Sequence, residues 1–119
     1  MLSGTGRQVI PSVLCERELI ESLDSFLRFN KELGVELPMF VFLSFCGVKG
    51  FALAVDPTRF WNLDVHTIDR DVLVLPEVQV ANYDQRAQDI LRTQFDSVWN
   101  ACGYERCFNY DKNGNWVRS

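Results

Sequence analysis

The sequence predicts an α+β domain in which two long helices pack on a three- to four-stranded antiparallel or mixed sheet. Two observations carry this prediction. Apolar residues recur at helical spacing over residues 12–33 and 84–102, and the segments between them read as strands. With 119 residues, 47% of them hydrophobic and 24% charged, the chain suits one domain with its own core. The expected order is helix, hairpin, strand, helix and tail.

The first helix is expected at residues 12–33. Glutamates near its start interact favourably with the positive end of the helix dipole. Gly34 favours the end of the helix just before it. Residues 1–11 lack the basic and apolar regions of a secretory signal, so we interpret them as a leader or a domain-boundary remnant and expect a cytoplasmic protein. The apolar positions of the helix recur every three or four residues: Leu19, Leu23, Phe26, Leu27 and Leu33.

The most apolar passage, residues 38–55, is expected to form two antiparallel strands of the core. A membrane span needs about 20 apolar residues in one continuous helix, whereas two glycines and a lysine interrupt this passage near its middle. Glycines on both sides of Val48-Lys49 permit the positive φ angles of a tight turn. We therefore predict an exposed turn at Val48-Lys49 and burial of three residues: Phe42, Phe45 and Leu53.

A third strand is expected at residues 72–80, bent at Pro76 or lying at an edge of the sheet. The second helix is expected at residues 84–102, with Asp84 as its N-cap and Gly103 just past its end. Its buried face should contain Ala87, Leu91, Gln94, Phe95, Val98 and Cys102.

The predicted strands are apolar on both faces. Met39, Val41, Leu43 and Phe45 alternate with Phe40 and Phe42, and Val72 and Val74 alternate with Leu73 and Leu75. Such a sheet must be covered on both sides. We expect the two helices to cover opposite faces. The alternative is that they share one face and another protein surface covers the second.

Charge and cysteine content narrow the function classes. The net charge is −4 and the basic residues are dispersed, which argues for weak or no direct nucleic-acid binding. Cys15 and Cys46 fall in apolar patterns typical of buried free thiols, which indicates reduced cysteines. Four residues separate Cys102 from Cys107, unlike a zinc knuckle, so neither a metal nor a cofactor is expected.

The search for catalytic motifs finds no nucleophile elbow, phosphate loop or dinucleotide fingerprint. His66, Asp69 and Asp71 could supply acid, base or metal-ligand chemistry, which defines one alternative, an enzyme that uses this loop. Carboxylates two residues apart ahead of a strand more commonly face solvent. We therefore expect a protein that is not an enzyme.

The tail, residues 105–119 beyond a core at 12–104, is rich in aromatic and turn-forming residues. Asn113-Gly114 favours a tight turn that gathers the aromatic side chains. These aromatics either pack the loop onto the second helix or form a recognition surface, and a small ligand-binding sensor domain is a further alternative. The candidate binding residues are Tyr110, Asp111, Asn113, Trp116, Lys49 and Arg70.

Three segments resemble the C-terminal region of bacterial proteins that carry a Schlafen AlbA-like DNA-binding domain, proteins often labelled ATP-binding or transcriptional regulators. The segments are FLSFCGVKGFALAVDP, IDRDVLVLPEV and LRTQFDSVWNACGYERCFNYDKNGNW, and the likeness covers about residues 16–116. The pattern FDxxWNAxG followed by NYDxxGxW is its most specific part. Cys107 departs from it, since a small polar residue is expected there. The AlbA-like domain itself has no counterpart in these residues, so we expect either a fragment or a stand-alone copy.

The resemblance implies a non-catalytic accessory or interaction domain of a nucleic-acid-associated, regulatory protein. It also implies a protein partner or an AlbA-like domain as the binding partner. We expect no association with a membrane, and a homodimer stays open.

Overall fold

The computed structural model describes residues 8–54 and 67–116, and the α+β class is confirmed. Two helices and six short strands occur in these ranges. In chain order they are β1 (Gln8–Pro11), α1 (Ser12–Glu32), β2 (Met39–Val41), β3 (Ser44–Cys46), β4 (Phe51–Ala54), β5 (Val72–Val74), β6 (Val78–Val80) and α2 (Ala87–Ala101). Within these ranges, neither helix is both long enough and apolar enough to cross a membrane.

The strands pair as three two-stranded ladders. β1 pairs with β4 in parallel, whereas β2 pairs with β6 and β3 with β5 in antiparallel fashion. The predicted hairpin between β3 and β4 is therefore wrong. The turn between them bonds to residues ahead of β5 instead: the N–H of Val48 donates to the carbonyl of Asp71 at 3.1 Å, and that of Gly50 to Ile68 at 2.8 Å. The partner of β4 comes from residues 8–11, which we had assigned to the leader.

The two antiparallel ladders follow one another and together form a longer, interrupted ladder between residues 39–46 and 72–80. The break falls at Pro76, as predicted, because proline has no N–H for the ladder. The buried Gln94 of α2 fills it: its Nε2 donates to the carbonyls of Val41 at 3.2 Å and Pro76 at 3.0 Å.

Side chains along this interrupted ladder alternate between two faces, as predicted. The inner face meets the core through Met39, Val41, Leu43, Phe45, Leu73, Leu75, Val78 and Val80. The opposite face, called the outer face below, consists of Phe40, Phe42, Val72 and Val74, which are 52%, 71%, 45% and 73% exposed. The predicted burial of Phe42 is therefore wrong, whereas Leu53 is buried and Phe45 is half-buried.

Both helices contribute to a single core with the inner face, and they contact each other. The expectation that they cover opposite faces is wrong: the helices share one face, as the first half of the alternative states, and the covering of the second face by another protein stays a prediction. Each helix packs an apolar stripe on this face. A buried hydrogen bond from Trp99 to Glu16 also links α2 to α1. The outer face is left without a covering element from the described residues.

The observed helix boundaries match the sequence prediction more closely than the observed N-cap does. In α1, Leu23 and Leu27 are buried as predicted, but Phe26 and Leu33 are exposed because they lie off the buried stripe. The predicted N-cap of α2, Asp84, is also wrong, since Arg86 occupies the cap position without a side-chain capping bond. The six residues predicted for the buried face of α2 are all buried.

The positive φ angles predicted for the glycine turns are confirmed, but the predicted exposure of Val48 is wrong. Gly47 and Gly50 have φ angles of +68° and +87°, and Lys49 between them is exposed. Val48 is only 6% exposed, however, so it is a core residue at the tip of the turn. Gly103, at φ +94°, follows α2 as predicted.

Candidate functional site

Glu16 of α1 has a carboxylate that is buried yet fully hydrogen-bonded. The residue is 5% exposed. Its Oε2 accepts from Trp99 Nε1 at 2.8 Å, and its Oε1 accepts from Asn109 Nδ2 at 2.9 Å and from Trp116 Nε1 at 2.8 Å. The Cys107 thiol lies 3.5 Å from Oε2. Burying a carboxylate is costly unless donors replace its water, and these four donors, the Glu16 cluster, provide that replacement.

The Glu16 cluster joins parts of the chain that are distant in sequence. Trp99 comes from α2, whereas Cys107, Asn109 and Trp116 come from the tail. Trp99, Asn109 and Trp116 are also the residues of the FDxxWNAxG and NYDxxGxW patterns. The most specific part of the sequence resemblance therefore corresponds to internal contacts. Sequence reasoning assigned Glu16 only a helix-dipole role, because nothing local indicates partners 83 to 100 positions away.

The predicted turn at Asn113-Gly114 is confirmed. Gly114 has a φ of +83°, and its N–H donates to the carbonyl of Asp111 at 3.0 Å. The Asp111 side chain accepts from the N–H groups of Asn113 and Asn115, both at 2.9 Å. A β-bridge between Tyr110 and Trp116 closes the loop. Asp111 thus orders its own turn, and that use of its carboxylate competes with binding an outside ligand.

The tail aromatics pack against α2, so the packing alternative is confirmed. Tyr110 is buried, donates its hydroxyl to the carbonyl of Gln88 at 2.5 Å, and lies under the guanidinium of Arg92. Burial raises the pKa of the Tyr110 phenol above its ordinary value. Trp99 meets the Tyr104 and Phe108 rings edge-on at 5.0 and 6.0 Å. A recognition role for Tyr110, Asp111, Asn113 and Trp116 stays a prediction.

Lys49 and Arg70, the two candidate residues outside the tail, lie at the same end of the antiparallel ladder. The turn that contains Lys49 bonds to the backbone on both sides of Arg70, at Ile68 and Asp71. Arg70 Nε approaches Asp69 Oδ1 at 3.3 Å, and both side chains are mostly exposed. His66 lies outside the described residues. Asp69 and Arg70 line a groove of about 310 Å³ against the end of α2, and this groove is open to solvent. Asp71 is also exposed.

The four thiols are all free, as predicted, and they differ in how deeply they are buried. Burial raises the pKa of Cys102 to about 11, and burial together with the Glu16 carboxylate raises the pKa of Cys107. Burial also raises the pKa of Cys15. Cys46 is exposed beside Val72, which corrects its predicted burial. A buried thiol held in its protonated form is a poor nucleophile.

Cavities and metal-ligand geometry complete the description of the site. A small cavity beside Glu16 measures about 10 Å³, which is room for about one water molecule. A wider groove of about 380 Å³ is open to solvent between α1 and residues 83–88. In the part of the chain that the structure describes, no three His, Cys, Asp or Glu side chains gather as metal ligands would.

Comparison with protein-family models, with curated proteins and with solved structures gave no match to this chain. The function proposed below therefore depends on the geometry of the domain and on the sequence resemblance. The feature that distinguishes its surface is exposed apolar area. Ten large apolar residues of the described ranges keep more than a third of their area exposed: Val9, Leu14, Phe26, Phe29, Leu33, Val35, Phe40, Phe42, Val72 and Val74.

Proposed function

We propose that this chain is a non-catalytic interaction domain of a nucleic-acid-associated, cytoplasmic protein, and that its partner is an AlbA-like DNA-binding domain. The observation that carries the proposal is the group of four exposed apolar residues on one face of the ladder, Phe40, Phe42, Val72 and Val74. Such a group on a folded domain marks a site of protein interaction, whereas exposed apolar residues scattered singly do not. The resemblance adds the identity of the partner, because proteins with this pattern carry an AlbA-like domain.

The titratable groups support binding rather than catalysis. Glu16 is occupied by four internal donors, and burial keeps Cys102 and Cys107 protonated at neutral pH. Asp69 is open to solvent. Catalytic groups instead combine a perturbed pKa with access to substrate in a cleft, whereas the Glu16 carboxylate and these two thiols are closed off from solvent.

Charge supports a basic protein partner over direct contact with DNA. A net charge of −4 repels the phosphate backbone, and the dispersed basic residues offer no stripe to follow it. The same charge attracts a basic domain and speeds its association. DNA-binding domains are commonly basic, so this domain would bind the protein component of such a complex.

The proposal is tested by titrating the purified chain with the AlbA-like domain encoded nearest to it in the same genome. We expect a 1:1 complex with a Kd of about 1 µM or tighter, equivalent to about −8 kcal/mol. A basic, unrelated domain of similar size is the control for nonspecific attraction. Calorimetry at about 100 µM of each component would detect even a binding free energy of about −5.5 kcal/mol. If it shows no binding, the proposal is contradicted.

Direct DNA binding is tested separately, on the isolated domain. Titration with duplex DNA at low salt should show little binding, because the domain has no basic stripe to release counterions. Submicromolar binding that weakens as salt is added would overturn this expectation. It would also move the proposed function from a protein-binding module to a DNA-binding one.

A further inference from the structure

We propose that the outer face is the docking surface, and that it receives a protein surface whose apolar patch is bordered by lysine and arginine. This inference depends on the proposed function, since it locates the binding surface and specifies the chemistry of the partner. It goes beyond that function because neither the resemblance nor the tail residues point to this face. The face consists of Phe40, Phe42, Val72 and Val74, as defined above.

The first argument is geometric. Strand register places Val74 opposite Ser44 and Val72 opposite Cys46, and alternation places Phe40 and Phe42 on the same side. The remaining outward residues on these strands are Ser44, Cys46 and Gln79, so the strands contribute no charge to the face. Hydrogen-bonded strands also hold these side chains in fixed positions, which lowers the entropy cost of binding.

The second argument concerns the size of the exposed groups. Phe42 is 71% exposed and Val74 is 73% exposed, although both lie in the middle of the ladder rather than at a chain end. Aromatic side chains are enriched in the buried centres of protein interfaces, where they fill pockets of the partner. Phe40 and Phe42 are thus the expected anchors of the interface.

The third argument is charge complementarity. Glu77 precedes β6, next to the pair of Val41 and Val78, and therefore lies beside Phe42. Glu77 is exposed and has no ion pair among the described contacts. The phenylalanine half of the outer face therefore has a carboxylate at its edge, which a partner with Lys or Arg at its rim would match.

The other end of the outer face is electrostatically neutral. Lys49 and Arg70 lie there together with Asp69 and Asp71, and Arg70 is engaged by Asp69. This end gives no preference for either sign of charge. Selectivity for a basic partner should therefore arise at the phenylalanine half, and variants of Glu77 should reveal it.

A second apolar stripe on α1 competes for the same role. Phe26, Phe29 and Leu33 are 54%, 61% and 63% exposed. Charges of both signs surround this stripe, and Asp24 and Arg28 neutralise each other at 2.6 Å. It therefore has no charge preference that would match a basic partner. Its Phe29 is a matched control for Phe42, because both are exposed phenylalanines on regular elements.

The main experiment compares Phe42→Ser with Phe29→Ser in the titration with the AlbA-like domain. We expect Phe42→Ser to weaken binding by about thirtyfold, as loss of an aromatic anchor does, and Phe29→Ser to change it by less than about threefold. Val74→Ser repeats the test at a second exposed position. Melting temperatures of all three variants establish that they remain folded.

Charge is tested with Glu77→Lys and Glu105→Lys, which change the net charge equally. Glu105 is exposed and lies in the tail, outside the ladder. We expect Glu77→Lys to weaken binding by about tenfold more than Glu105→Lys, and to reduce the dependence of the association rate on salt.

The possible results separate the inference from the proposed function. If the wild-type chain binds no AlbA-like domain, the proposed function fails. If binding is intact but Phe42→Ser and Val74→Ser bind as wild type, or if Phe29→Ser is the weaker binder, the location of the docking surface is wrong. If wild type forms a dimer that Phe42→Ser abolishes, the occupant is a second copy, and the basic partner is overturned. Equal effects of the two lysine variants would contradict the charge argument.

Discussion

The Glu16 cluster and the outer face reverse the usual distribution of polar and apolar groups. The cluster places a carboxylate in the core, where two indole N–H groups, an amide and a thiol surround it. The outer face places two phenylalanines and two valines in solvent. The first arrangement is complete within the domain, because every charge has its donors. The second is incomplete, because apolar side chains contribute hydrophobic free energy only when another surface removes them from water.

This difference shows why the most distinctive residues of a sequence need not be its functional ones. Trp99, Asn109 and Trp116 belong to the most distinctive sequence pattern of the chain, yet their polar groups point inward to Glu16. The outer face has no distinctive pattern, since alternating apolar residues are ordinary in strands. Its significance appears only when the helices are seen to share the other face.

The largest expected effect is on the cluster itself. Glu16→Ala should lower the free energy of unfolding by about 3 to 5 kcal/mol, because buried N–H donors lose their acceptor. Chemical denaturation monitored by tryptophan fluorescence measures the change. Glu18→Ala, on the same helix but exposed, should change stability by less than about 0.5 kcal/mol. Equal effects of the two variants would show that the carboxylate is not a centre of stability.

The tail should show the next largest effect. Trp116 is half-buried and donates its indole N–H to Glu16, so Trp116→Ala should lower stability by about 2 to 4 kcal/mol. The stability of Trp116→Phe should lie between those of the wild type and Trp116→Ala, because phenylalanine keeps most of the ring area and loses the N–H donor. Unchanged stability with weakened partner binding would instead assign Trp116 to recognition, and no change in either property would contradict both roles.

The buried thiols and phenol make the free energy of unfolding depend on pH in the alkaline range. The pKa of Cys102 is raised from 9.0 to about 11, so between these values the unfolded chain releases a proton that the folded chain keeps. Stability should therefore fall as pH rises from about 9 to 11, by up to about 1.4 kcal/mol per pH unit for this group. Cys102→Ala should reduce the slope. A stability that rises over this range would contradict the burial of these groups.

The smallest expected effect on stability is at the outer face. Phe42→Ser should change the free energy of unfolding by less than about 0.5 kcal/mol, because the ring is already mostly in solvent. The same denaturation experiment measures it beside Glu16→Ala. A loss of several kcal/mol would mean that Phe42 is packed within the domain, and the outer face would then not be free for a partner.

Local features were predictable from the sequence, whereas long-range ones were not. The extents of the helices, the alternation in residues 39–46 and the turns at Gly47 and Gly114 follow from periodicity and from glycine. Strand partners did not follow, because the pairing of β4 with β1 bridges the whole of α1. A turn that permits a hairpin does not require one when another strand is available.

The candidate site shows the same limit in its chemistry. The charge of Glu16 is visible in the sequence, but its burial depends on donors brought from α2 and the tail by tertiary packing. The exposure of Phe42 depends on which side the helices take, and apolar residues on both faces leave that choice open. Both regions are therefore defined by tertiary structure, although each residue is ordinary in its local pattern.

The most direct test uses the natural thiol of the outer face. Cys46 is exposed beside Val72, whereas Cys102 and Cys107 are buried and Cys15 is half-buried. The rate of Cys46 alkylation is measured in the free chain and in the chain saturated with the AlbA-like domain, with Cys15 as the internal reference. We predict that the partner slows Cys46 alkylation strongly and leaves the rate at Cys15 unchanged. An unaltered Cys46 rate in a complex that has demonstrably formed would contradict the assignment of the outer face.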